Sequence, residues 1–184
     1  MTPRQRDQIL HTLWPQGGDA GPSVWAVLDC ARDPKVYLAL LASKLEFRCL
    51  YSGKLPRALE QVAPHLVELS PGNRLTSLWL DEAWGQAWGI LVKIDDPSNL
   101  RHHLRKFLKV HDEQGRSLIF RFYDPRVLRA YLPTCVAAEL KLMFGPLQAF
   151  LAEGADGASI GEYRFNGGRL QSLQAPIPAP APGA

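Results

Sequence analysis

Val24–Leu41 reads VWAVLDCARDPKVYLALL, and this stretch decides the fold. Val24–Leu28 is an uninterrupted apolar run, which predicts a buried strand. Asp33-Pro34 then places a carboxylate before a proline whose fixed φ suits the first helical position. Val36, Leu40 and Leu41 follow at helical spacing. Strand, Asp-Pro and amphipathic helix form one unit, and a weak echo of it returns at FRFYDPRVLRAYL (120–132). There SLIFRFYD (117–124) alternates, which predicts a strand with Leu118, Phe120 and Phe122 on one face and Arg121 and Tyr123 on the other.

Outward from these anchors, FRCLYS (47–52), HLVEL (65–69) and AWGILVKI (87–94) read as further strands. PRALEQVAP (56–64) is a short helix between prolines. RLTSLWLDEAW (74–84) is a helix capped by Asn73 and stopped by Gly85. Ser98 is expected to cap NLRHHLRKFLKV (99–110), helical at first and extended by its end. Asp112–Gly115 is a turn, AAELKLMFG (137–145) a helix, and GEYRFNGGRLQSL (161–173) a hairpin about Asn166-Gly167-Gly168. At the N-terminus Thr2 caps a helix opened by Pro3, with Ile9, Leu10, Leu13 and Trp14 on one face. Pro15 and Gly17-Gly18 end it. From Ala175 the chain alternates prolines with small residues, and no large apolar side chain follows Ile177.

The order predicts an α/β, mixed α+β fold: a central sheet with flanking helices, a helical C-terminal lobe and a terminal β-hairpin. An N-terminal helical segment covers 1–19 and the main domain 20–173. Within that domain the α/β part runs to about 123, the helical part over about 124–153 and the hairpin over about 160–173. A disordered Pro-rich tail covers 174–184.

A chain of 184 residues buries a real core, and 46% hydrophobic with 21% charged residues is a globular composition. A formal net charge of +3 is too mild to imply nucleic acid. The N-terminus has no apolar run of signal-peptide length, and no run elsewhere spans a bilayer. The expectation is a soluble, cytoplasmic protein with no membrane partner. Cys30, Cys49 and Cys135 are widely spaced and form no CxxC pair, so they read as thiols rather than as a zinc or redox motif.

Reactive constellations are weak. His102, His103 and His111 stand among Arg101, Arg105, Lys106 and Lys109, which reads as a solvated basic helix face and disfavours a metal dication. Cys49 or Cys135 with His65 is conceivable as a nucleophile pair, but no motif supports it. Asp33 and Asp124 are explained as caps. Phosphate loop, serine elbow and H-E-x-x-H are absent. No catalytic residue, metal or cofactor is therefore assigned. From Arg101 to Arg129 the chain holds eight Lys or Arg against Asp112, Glu113 and Asp124, a basic stretch suited to an acidic protein partner and only weakly to nucleic acid. Trp79, Trp84 and Trp88 at helical spacing read as core, with one partly exposed member a candidate interface anchor.

VWAVLDCARDPKVYLALL, RCLYSGKLPRALEQVAPHLVEL, WGQAWGILVKI, the long 100–133 segment with FRFYDPRVL, and FGPLQAF occur in that order. Together they resemble the type VI secretion effector-adaptor family, from about Val24 to about Phe150. FRFYDPRVL and the pairs Trp84-Gly85 and Trp88-Gly89 are the most specific parts. The resemblance implies a non-catalytic cytoplasmic chaperone. It would bind a cognate toxin effector and help load it onto the valine-glycine-repeat spike protein or its tip. The family carries no catalytic residues to transfer. Charge and aromatic character, rather than the resemblance, nominate Arg121, Tyr123, Arg126, Arg129, Arg105 and Trp84 as partner-binding residues. A small hydrolase or nuclease, and a nucleic-acid-binding module using 101–129, are the alternative readings.

Overall fold

Asp33, Asp96 and Asp124 each precede a proline, and each carboxylate accepts from the backbone N–H two residues on: Lys35 at 2.8 Å, Ser98 at 2.9 Å and Arg126 at 2.9 Å. Side-chain caps thus start three helical segments where the proline leaves the next N–H unpaired. Two caps are as expected. At the third the cap is Asp96, and Ser98 is its donor rather than the capping residue.

The structure is a computed structural model, and it describes residues 1–15 and 21–179. The Gly17-Gly18 stop, the 19/20 boundary and the tail end at 180–184 lie outside the described residues. The helices are α1 (Pro3–Leu13), α2 (Pro34–Ser43), α3 (Arg57–Glu60), α4 (Arg74–Leu78), α5 (Leu100–Arg105), α6 (Pro125–Tyr131) and α7 (Ala137–Phe144). α4 continues as a π-helical turn over Trp79–Ala83. The strands are β1 (Ser23–Asp29), β2 (Phe47–Cys49), β3 (Pro64–Leu69), β4 (Gly89–Ile94), β5 (Lys109–His111), β6 (Ser117–Ile119), β7 (Ala149–Glu153), β8 (Ser159–Asn166) and β9 (Arg169–Pro176). Seven of them form one antiparallel sheet in the order β2-β3-β1-β4-β7-β8-β9, while β5 and β6 pair apart from it.

Both faces of the sheet are covered at its centre, which is why β1 and β4 read as strongly apolar runs. Val24, Ala26, Leu28 and Leu91 meet Ile9, Leu13, Val36, Leu40 and Leu75 of α1, α2 and α4. Val27, Ile90, Val92 and Phe150 meet Leu100, Leu104, Leu128, Leu140 and Phe144 of α5, α6 and α7. The expected central sheet with flanking helices and terminal hairpin is present. The helices of 124–153, however, end at Phe144 and pack on the sheet. Ala149–Glu153 is β7, between β4 and β8, with all five residues buried. A five-residue strand with both faces covered has no alternation to announce it.

The tail differs as well. β9 continues to Pro176, the buried Ile177 donates its N–H to Ala158 O at 2.8 Å, and Gln5 Nε2 donates to Pro178 O at 2.9 Å. Residues 174–178 are therefore packed structure joined to α1, not a solvated tail. α1 is fixed elsewhere by Arg6 on Asp81 at 2.5 and 2.6 Å. The ammonium of the buried Lys93 also donates to Thr12 O at 2.8 Å, a cation on the carbonyl end of a helix. Among the described residues no helix is long and apolar enough to cross a membrane.

Candidate partner-binding site

β6 ends at Ile119, and the chain then turns, with Asp124 N–H donating to Arg121 O at 3.0 Å. Strand alternation stops at that turn. Tyr123, expected to face solvent with Arg121, is therefore buried, with its ring centroid 5.5 Å from that of Phe122. Burial pushes its phenol well above the ordinary range, and Tyr51 beside it adds to this. It is not an available contact residue.

The arginines of this segment act as braces. Arg121 pairs with Asp29 at the end of β1, donating through both Nε, at 3.1 Å, and Nη2. Asp29 is wholly buried and also accepts from Ala31 N–H at 3.2 Å. Burial pushes its carboxyl above the ordinary range, and the guanidinium opposes this without cancelling it. Arg126 folds back on Asp124 at 2.6 Å. Burial raises the Asp124 carboxyl, but the Arg126 and backbone hydrogen bonds outweigh it and hold the group low. Arg129 donates to the carbonyl of Glu153 at the end of β7. Helix α6 and its lead-in are thereby tied across one end of the sheet. Arg126 is the most exposed of these arginines, and it too is paired.

The Trp-Gly pairs belong to the same clasp. The Glu153 carboxylate accepts from Gly85 N–H at 2.6 Å and Ala87 N–H at 2.8 Å, two residues with φ of +81° and +56°. Burial raises the Glu153 carboxyl, and these two N–H groups oppose that. At Gly89 a Cβ would lie 2.2 Å from Val27 O, so only glycine lets β4 meet β1 there. Trp79 and Trp88 are buried as expected. Trp84 is partly exposed, but its Nε1 donates to Gly157 O at 2.8 Å and anchors the loop.

The histidines and thiols also resolve. His103, expected on a solvated face, is buried with Nε2 2.9 Å from Met143 O, and its ring occupies the space where a Gly145 Cβ would sit. His102 and His111 are exposed. His65 does have a thiol neighbour, but it is Cys30, with Sγ 3.4 Å from Nδ1. Cys49 is only the cross-strand partner of His65, and Cys135 Sγ turns to Tyr131 O at 3.5 Å. Burial pushes the Cys30 thiol up to about 12 and the His65 imidazole down. Both are thus neutral at pH 7, the reverse of a thiolate–imidazolium nucleophile. Among the described residues no group of three or more His, Cys, Asp or Glu is placed to hold a metal ion.

Arg105 is the nominated residue that reaches an open site. It lines a groove of about 500 Å3 between α3, the loop after β2, the end of α5 and the β5–β6 ribbon. The buried Leu50 and Leu108 lie in it, with Leu55, Leu59 and Ile119 alongside. Arg101 fixes its wall, donating to Cys49 O at 2.8 Å and Tyr51 O at 3.1 Å. Sequence reasoning named the basic stretch but missed this groove, because its apolar side comes from residues some fifty positions earlier in the chain. The exposed Ile119, which the alternation of 117–124 placed opposite the Phe face, was the available signal.

A family model described as Domain of unknown function (DUF4123) matches residues 24–142. No curated protein matches the chain, and no solved structure does so.

Proposed function

The chain belongs to the DUF4123 family, whose model covers well over half of it, and from that premise we propose that it is a non-catalytic adaptor of type VI secretion. In this reading it works in the cytoplasm of its producer, holds a cognate toxin effector and promotes loading onto the valine-glycine-repeat spike protein or its tip. The resemblance of FRFYDPRVL and the Trp-Gly pairs to effector adaptors supports it.

One structural observation carries the reading. The polar groups at the motif residues are engaged inside the molecule, while the apolar groups left over lie outside. Asp29, Asp124 and Glu153 hold backbone N–H groups and guanidinium groups. Leu59 and Ile119, which both line the groove, are exposed. Apolar side chains grouped about a groove suit protein recognition. Co-expression with the effector encoded beside its gene is the direct test. We expect the tagged protein to retain that effector through purification and to raise its soluble yield. Failure to retain any effector or spike component overturns the reading.

A further inference from the structure

We propose that the groove between α3 and the β5–β6 ribbon seats an acidic, amphipathic segment of a partner protein. The identity of the partner as an effector rests on the adaptor reading; the chemistry of the segment rests on the groove itself. Four leucines and Ile119 make up its aliphatic lining, and Leu59 and Ile119 are 42% and 62% exposed. An occupant therefore has apolar area to cover on two sides, as when an amphipathic segment lies in a groove.

The charge at the groove has one sign. Among the described residues Arg105 and Lys109 line it, and no carboxylate does. Neither side chain enters an ion pair among the described residues, whereas Arg6, Arg48, Arg116, Arg121, Arg126 and Arg164 all do. From Leu100 to His111 the chain has four Lys or Arg and no Asp or Glu. Lys109 is the cross-strand partner of Ile119, so a cation and an exposed aliphatic stand side by side on the ribbon. A ligand matching that pair carries a carboxylate next to an apolar side chain.

The ribbon supplies a further reason for a partner. All residues of β5 and β6 are exposed, and the pair is separate from the main sheet. Two strands alone are marginally stable in water, and the exposed Ile119 lines the groove and gains from being covered, while Val110 and Leu118 pair on the opposite face of the ribbon. Nucleic acid fits less well, because among the described residues Tyr51 is the sole aromatic lining the groove and single strands need stacking surfaces.

The test uses two fluorescein-labelled synthetic peptides with leucines at helical spacing, one with Glu and the other with Lys at the remaining positions. A labelled single-stranded oligonucleotide is the third probe. Wild-type protein is expected to bind the Glu peptide at least about tenfold more tightly than the Lys peptide, and more weakly as salt is raised. Arg105→Glu/Lys109→Glu is expected to reverse the preference, and Ile119→Asp to weaken binding of the Glu peptide, both with wild-type melting temperature. Equal binding of the two peptides, binding of neither, tighter binding of the oligonucleotide, or wild-type behaviour in both variants overturns the proposal. Capture of the neighbouring effector separates the two claims. Undiminished capture by both variants overturns the groove and leaves the adaptor role, whereas no capture by wild type overturns the adaptor role.

Discussion

Arg121 shows how a residue that reads as an interface arginine becomes a brace. Its partner Asp29 is wholly buried, while its own side chain is 41% exposed. Replacing it with Met leaves a buried carboxylate without its guanidinium. A fully buried pair broken this way costs ~3–5 kcal/mol, and exposure of the arginine lowers the expected loss to about 2 kcal/mol. Charge reversal of Arg121 to Glu would cost more, so a binding defect in that variant would report unfolding. The pH dependence follows from the direction of the Asp29 shift. Its folded-state proton affinity is raised above the unfolded one. Stability from that group is thus full below the unfolded carboxylate range and is lost as pH rises through the folded value. Removing Arg121 raises the folded value further. Thermal melts of Arg121→Met against wild type should therefore show a deficit that grows from acid to neutral pH. A deficit independent of pH would mean that the pair is not what holds Asp29. Gly89 is the second case. The Cβ of Ala there meets the Val27 carbonyl and, at 3.0 Å, Leu28 Cα. Both are backbone, so Gly89→Ala should destabilise by about 3 kcal/mol, read from denaturant midpoints. A variant as stable as wild type would refute that close approach.

At the scale of elements, the expected tail is the sharpest change. Ala175 pairs with Ile160 and Pro176 with Ser159, and Ile177 completes the core under α1. A truncation after Leu173 removes these contacts, a buried Ile among them, and should lower stability by ~2–4 kcal/mol. Equal melting of the truncated and full-length chains would show that β9 ends earlier. The helix starts were legible because Asp-Pro acts locally: cap and donor are two residues apart, and no distant part of the chain is needed. β7 was not legible, because its strand character depends on β4 and β8 for hydrogen bonds and on two helical layers for burial. The inward turn of Tyr123 was missed for a related reason. Period-two reading holds only while the strand continues, and β6 stops at Ile119.

Across the whole molecule, the two-sided sheet accounts for most of the apolar residues; of those left exposed, Leu59 and Ile119 line the candidate groove, while Leu38, Leu41, Val136, Leu142 and Leu173 lie elsewhere. Of the six nominated residues, Tyr123 is buried, Arg121, Arg126, Arg129 and Trp84 hydrogen-bond within the chain, and Arg105 faces the groove. The basic stretch was visible in the sequence because charge is local. Which of its cations are engaged was not, because Asp29 is 92 positions from Arg121. The adaptor reading requires that the open cations and the aliphatic residues beside them meet a second protein. The most direct measurement is a calorimetric titration of the full-length protein with the purified effector encoded beside its gene. The account predicts a saturable complex that weakens as salt is raised. Absence of binding to that effector, and likewise to the spike protein and its tip, would contradict it.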